Sequence, residues 1–577
     1  MQFSTLFFVA AFLPVFIFIY GIAPDVKGKN IVLLLFSLLF YAFSGVPGLV
    51  LLLLMTFLGF LSARIIAKIY DAAGLYEHSF AAIDEEFEAP ALTERKKSAT
   101  KKANIVLIAT VAIDLIVLGI FKYAGFFMEL FKASAGNTVT VPSLFLPLGI
   151  SFYLFKLISY VADVKNGKCQ AADFFHVLLY TVNFHEIAQG PITRYPAMEK
   201  ALDDRQQTTV LFSEGMWRFT VGLFKKTILA DHSGKLAESF LPVILEGHTM
   251  TKGGVLFGSL FYMLQLYLDF SAYSDMALGL GRMCGFIYPE NFNYPYLAGS
   301  VRDFWRRWHI SLSSFFRDYV YIPLGGNRVP FYRQILNLLV VWALTGLWHG
   351  GSLNFILWGL YYFAFIVLEN ISRRRNQNKK QSIASLPVRI LGHIYTLLVV
   401  YLGWILFRFT DFHTLGTVLA CLFGPMKEAF LSAQERLTLF NNLYFLLVSI
   451  LACFPIGHGI MQSMETGVRQ SFRSEKREKD MLDHEMRMYA GERSMHDQYG
   501  NQALSDVEAD DYAAREQESH EHAVKRLEGR LRIRTRERGR REWTFYILRA
   551  LLGLVLLFLS VLSMAGQSYM PFLYNQF

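Results

Sequence analysis

Apolar residues along this chain gather in runs of about 15 to 25, close to the ~20 residues a helix needs to cross a bilayer core about 30 Å thick. Such runs occupy 6–22, 30–44, 46–66, 104–122, 144–163, 173–190, 211–230, 252–281, 334–348, 351–371, 387–409, 440–462 and 543–566. Several abut one another, so some are expected to tilt or re-enter, leaving about eleven true crossings. The predicted fold class is all-α: a polytopic integral membrane protein with re-entrant or interfacial helices beside its crossings. The first run, Leu6 to Ile22, has no basic residue before it and no small-residue cleavage pattern after it, which predicts a retained span rather than a signal peptide. The 144–163 run contains Pro147, Gly149, Lys156 and Asp163. That mixture predicts a broken helix lining a cavity, because irregular or charged backbone is tolerated at membrane depth only where protein or water surrounds it.

Polar residues interrupt this pattern in an organised way. Lys and Arg concentrate at 94–102, 372–380 and 525–542, which places those stretches on the cytoplasmic side, whereas the charge-poor 125–143 loop is expected outside. From 463 to 541 no apolar run occurs. This stretch is rich in Glu, Arg, Met and Ala, which favours helix, and it reads either as a solvated helical hairpin or partly disordered loop, or as a docking surface for a cytoplasmic partner. The predicted organisation is a transmembrane core at 1–462, a charged helical cytoplasmic insertion at 463–541, and a final span with a C-terminal segment at 543–577.

Composition agrees: 53% of residues are hydrophobic and 18% charged, against roughly a quarter charged in soluble proteins. The net charge of +9 is accounted for by the basic loops, which need no partner beyond anionic lipid, so nucleic-acid binding is not expected. Cys169, Cys284, Cys421 and Cys453 lie in or near apolar segments without CxxC spacing. They read as buried free thiols, and no metal site is expected.

Two histidines sit where the apolar pattern breaks. RDFWRRWHISLSSFFRDYVYIPLGGNR runs from Arg302 to Arg328, and LTGLWHGGSLNFILWG from Leu344 to Gly359. Helical spacing in the first would bring Asp303 near Arg306 and Arg307, and His309 near Ser313, on an interfacial helix whose arginines are available to phosphates. His349 ends an apolar run and precedes Gly350-Gly351, which allow close approach of a substrate or another backbone. A neutral imidazole there suits proton transfer from a hydroxyl, although either histidine could equally be a buried packing residue.

These motifs, taken in order, resemble the membrane-bound O-acyltransferase family. The branch is that of bacterial polysaccharide O-acetyltransferases, typified by alginate O-acetyltransferases. The likeness covers most of the chain: LPLGISFYLFKLISYVADV (146–164), GPITRY (190–195), LDFSAYSDMALGLGRMCGF with PENFNYPY (268–296), FWRRWHISLS with RDYVYIPLGGNR, GLWHG, and the closing SYMPFLYNQF. The resemblance implies a ring of helices around a thinned centre, with His349 as the catalytic histidine and His309 at the second active-site position. It also implies an acyl donor, expected to be acetyl-CoA rather than a bound cofactor, with Arg306, Arg307 and Arg317 holding its phosphates. The acceptor would be an exported polysaccharide, reached with an SGNH-type acetyltransferase partner, and the location the bacterial cell membrane.

Two alternatives stay open: D-alanyl transfer to teichoic acid from a carrier protein, and non-enzymatic multi-span transport. YSDMALG and YIPLGGNR favour acetylation, since the alanylating branch differs at both. Two stretches depart from the family pattern. FHEIAQ, before GPITRY, replaces a Pro-containing segment and introduces His185 and Glu186, and the charged 463–541 stretch is longer than the branch carries.

Overall fold

A computed structural model describes residues 1–75, 90–134, 146–245, 250–375, 385–426, 429–499, 507–566 and 572. Among these residues the secondary structure is entirely helical. Six helices are long and apolar enough to cross a membrane: Val46–Ala72, Glu94–Phe126, Lys252–Met283, Leu353–Arg375, Leu386–Arg408 and His522–Gly566. Their outward faces carry large apolar side chains such as Leu54, Phe57, Ile108, Ile116 and Leu398, all more than half exposed. In water that surface would be a liability; in lipid it is the solvent-matched face. The chain is a multi-pass integral membrane protein.

Other predicted spans take different forms. The 144–163 run begins as irregular backbone and becomes helix only over Ile150–Lys165, about 24 Å long. Every residue from Ile150 to Val164 is buried, so this short helix is an internal axis rather than a lipid-facing crossing. The 173–190 run is not one helix: Phe174–Val182 is helical and turns follow to Gly190. The 440–462 run is likewise split, into Leu443–Ala452 and a helix that starts at Ile456. The expected 125–143 loop is helical as far as Ser134, within Pro90–Ser134, and the rest of it lies outside the described residues.

The chain divides into two compact units. The larger, Met1–Phe454 with Leu556–Phe577, holds all the candidate chemistry. In it, Thr209–Phe224 packs on Lys252–Met283 with backbones almost touching, since a Cβ on Gly215 would lie 2.5 Å from the Gly279 carbonyl. Small residues at helix crossings maximise van der Waals contact where the hydrophobic effect between helices is absent. Of the closing SYMPFLYNQF only Phe572 is described; it is buried, 5.1 Å from the Tyr273 ring. The smaller unit, Pro455–Val555, contains two antiparallel helical stretches, joined by Arg538–Glu475 at 2.9 Å and by Arg538 stacked over Phe472. Cys169, Cys284 and Cys453 are buried and Cys421 half-buried, all as free thiols.

Candidate active site

His349 is the last residue of the Phe331–His349 helix. That helix turns back through Gly350-Gly351-Ser352 into Leu353–Arg375. The pair cross closely because a Cβ at Gly346 would stand 2.4 Å from the Phe355 carbonyl oxygen. The turn presses the imidazole into an aromatic box, with ring centres at 4.8 Å from Trp348, 4.9 Å from Trp358 and 4.9 Å from Phe407. Trp358 and Phe407 present themselves edge-on, and the side chain is 4% exposed.

His309 arrives from a different break. The expected continuous helix from 302 to 317 is two helices, Val301–Arg307 and Ile310–Phe316, with His309 between them at φ 44°. A non-glycine residue in the left-handed region is costly, and Asn291 supplies the compensation. Its backbone carbonyl accepts from Ile310 N–H at 2.9 Å, and its Oδ1 accepts from Ser311 N–H and Oγ–H at 3.1 and 2.9 Å. The same Oδ1 lies 3.1 Å from His309 Nδ1. An amide oxygen only accepts, so Nδ1 carries the proton and Nε2 keeps the lone pair. Nε2 is buried with no hydrogen-bond partner. The ring sits 4.8 Å from Phe270 and 5.7 Å from Trp348. Trp348 therefore touches both histidines, and the structure brings them together although 40 residues separate them (349 − 309).

A cavity of about 290 Å³ opens beside His349, lined among others by Trp348, Phe152, Ser151, Lys122, Ser44 and Gln2. Its wall is shaped by Gly149, at φ 65°, where a Cβ would fall 1.9 Å from the Ile187 carbonyl oxygen. Ala188, next in the chain, lines the cavity too. Gly149's left-handed conformation disfavours any other residue, and its contact with Ile187 leaves no room for a side chain. The irregular 183–190 segment is pinned by Glu186, which pairs with Lys156 at 3.0 Å and accepts from the Thr193 hydroxyl. Lys156 also lies 4.4 Å over the Tyr180 ring. His185 meets the Tyr288 hydroxyl at 3.1 Å. His185 and Glu186 of FHEIAQ thus have buried structural partners.

The cavity lies at the end of its helices away from the basic residues at 94–102 and 372–375. From Lys102 to Lys122 the Pro90–Ser134 helix rises about 30 Å, and from Arg333 to His349 the histidine helix rises about 24 Å. Val301–Arg307 starts near the basic end. Glu369 caps it by accepting from Val301 N–H and Arg302 N–H at 2.7 and 3.1 Å. It then runs along Leu353–Arg375, placing Trp305 against Trp358 and Tyr362 and delivering His309 to Trp348.

The three arginines do not form one cluster. Arg307 pairs with Asp303 at 3.0 Å, and Arg317 with Asp318 at 2.6 Å. Arg306 is exposed, with no carboxylate among the described residues within 4 Å, and both it and Arg373 are within electrostatic reach of Arg302. Asp303 is thus the partner of Arg307 but not of Arg306, and Ser313 meets His309 only through the backbone, N–H to carbonyl at 3.1 Å. Sequence reasoning did not single out Asn291, Lys122, Trp358 or Phe407. Of these only Lys122 carried a local signal, a charge inside an apolar run. Among the described residues no group of three His, Cys, Asp or Glu side chains is placed to hold a metal ion.

The model of the membrane-bound O-acyltransferase family matches residues 36–409. The "Probable alginate O-acetylase AlgI" of Pseudomonas aeruginosa is 32% identical over 588 residues, covering 100% of both chains. Its namesake from Azotobacter vinelandii is 35% identical over 430 residues, covering 74% of this chain and 78% of its own. A "Peptidoglycan O-acetyltransferase" of Helicobacter pylori is 29% identical over 454 residues, covering 73% and 80%.

Proposed function

The chain belongs to the membrane-bound O-acyltransferase family, and from that premise we propose that it carries an acetyl group across the bacterial cytoplasmic membrane toward hydroxyls of an exported polysaccharide. It is an O-acyltransferase, which removes the transport alternative. The observation that carries the finer reading is the pair of histidines joined by Trp348 beside a cavity at the end of its helices away from the basic residues at 94–102 and 372–375. With those residues cytoplasmic, the cavity faces outward, where an acceptor arrives.

In this reading acetyl-CoA approaches from the basic end. Arg306 meets its phosphates first; Arg307 and Arg317 contribute only by loosening from Asp303 and Asp318. His349 accepts the proton of the incoming hydroxyl as its oxygen attacks the thioester carbonyl. The C–S bond breaks, an O–acetyl bond forms, and the thiolate leaves to take up a proton. His309, held with Nε2 as the acceptor nitrogen, is the second group able to receive or return that proton. The aromatic walls exclude water, which would otherwise hydrolyse the thioester. That incoming hydroxyl would belong to a periplasmic SGNH-type acetyltransferase, the partner that would pass the acetyl group on to the polysaccharide.

The test is transfer of labelled acetyl from acetyl-CoA by membranes carrying the protein with that partner. His349→Ala should abolish transfer while leaving expression and detergent stability intact. Near-normal transfer by the variant would overturn the assignment of His349. Labelling from a D-alanyl carrier protein but not from acetyl-CoA would establish the alanylating alternative.

A further inference from the structure

We propose that Lys122 and Tyr123 are positioning residues for His349, acting as a side-chain cap on the end of its helix; this rests on the reading of His349 as the reacting histidine. The last carbonyls of any helix lack intrahelical partners, and inside a membrane no bulk water replaces them. Here the two carbonyls immediately before His349 are engaged by two consecutive residues of the Pro90–Ser134 helix. The Lys122 ammonium donates to the Trp348 carbonyl, and the Tyr123 hydroxyl donates to the Leu347 carbonyl, which also accepts from Gly350 N–H at 3.2 Å. The ammonium also lies 5.6 Å from the centre of the Trp348 ring. Lys122 therefore holds both the backbone and the indole of the residue that touches both histidines.

Lysine is an expensive choice for this place. Lys122 ends an apolar run, and a neutral donor could satisfy a carbonyl without bringing a charge into the bundle. A cation at a helix C-terminus interacts favourably with the helix dipole, which strengthens a hydrogen bond that a neutral group would make weakly. Lys122 also lines the cavity, so the cap is built into the wall that an acceptor meets. The sequence distance between cap and helix end, 226 residues, makes this a tertiary device that joins two crossings at the reacting histidine.

The experiment compares Lys122→Met, Lys122→Arg, Tyr123→Phe and His349→Ala in the purified full-length protein, reading kcat, the KM for acetyl-CoA, the KM for the acceptor and the melting temperature. Lys122→Met should lower kcat about tenfold or more, because small misplacements of reacting groups are costly, with both KM values within about twofold of wild type. Lys122→Arg, which restores a cationic donor, should recover most of that loss. Tyr123→Phe removes one hydrogen bond and no charge, and should lower kcat by a few-fold with an unchanged melting temperature. Wild-type kcat in Lys122→Met would overturn the cap. A raised acceptor KM with unchanged kcat would also overturn it, making Lys122 a site for an anionic acceptor group. An inactive His349→Ala beside a fully active Lys122→Met refutes the cap alone, whereas an active His349→Ala refutes the underlying reading.

Discussion

The amide oxygen of Asn291 stands 3.1 Å from Nδ1 of His309 and also takes both donors of Ser311. One side chain thereby sets the tautomer of the histidine and stabilises the left-handed backbone that presents it. Asn291→Ala should lower acyl transfer about tenfold or more through the misplaced imidazole. Leaving the buried Ser311 and His309 donors without an acceptor should cost about 2 kcal/mol of stability. Asn291→Asp keeps an acceptor and should retain more activity than Asn291→Ala. Equal activities of the two variants, measured in membranes at matched protein levels, would separate His309 from Asn291.

Among the arginines, pairing sets the order of effect. Arg306 has no carboxylate partner within 4 Å among the described residues, whereas Arg307 is held by Asp303. Arg306→Ala should therefore raise the KM for acetyl-CoA several-fold with little change in kcat, and Arg307→Ala should raise it less. Donor-saturation kinetics in detergent decide this, and an unchanged KM in Arg306→Ala would remove this face from the donor site.

The buried Lys156–Glu186 pair makes a stability prediction. Both side chains are almost fully buried, so removing one leaves an uncompensated charge, at a typical cost of about 3–5 kcal/mol. Lys156→Met and Glu186→Gln should each lower the melting temperature clearly. The double variant Lys156→Met with Glu186→Leu should recover much of the loss, since apolar replacement of a buried pair is often near neutral. Additive losses in the double variant would show that the two side chains act independently.

Gly149 is the point where the cavity wall tolerates least. Gly149→Ala adds a methyl group 1.9 Å from the Ile187 carbonyl oxygen at a positive φ, so the 146–152 and 187–188 segments must part. A loss of about 2–3 kcal/mol is expected, typical of overpacking combined with backbone strain, together with reduced activity. A melting curve matching wild type would mean that this wall yields easily.

Membrane class, helical fold and the two candidate histidines were legible along the chain because each is a local property. Hydrophobic length is a sum over consecutive residues, and both histidines fall where that sum collapses into glycine or charge. The ordered motifs likewise carried the family, which the match over 36–409 bears out. Which apolar run is a crossing and which an internal axis was not local. Ile150–Lys165 and Val46–Ala72 are both apolar segments, but the first is wrapped by protein throughout while the second is largely open along its apolar stretch. The break at His309 was hidden because the surrounding residues favour helix, and only Asn291, 18 residues earlier, makes the left-handed turn tolerable.

The amino-acid sequence by itself thus determined that this protein lives in lipid, is helical, and bears two histidines where the apolar pattern breaks. Tertiary structure alone decided that those histidines share Trp348, that Asn291 orients one and that Lys122 and Tyr123 hold the helix of the other. The physical reason is that partition into a bilayer depends on how much apolar surface a segment carries. A hydrogen bond between residues hundreds of positions apart depends on how whole helices pack, and no window of sequence contains that information.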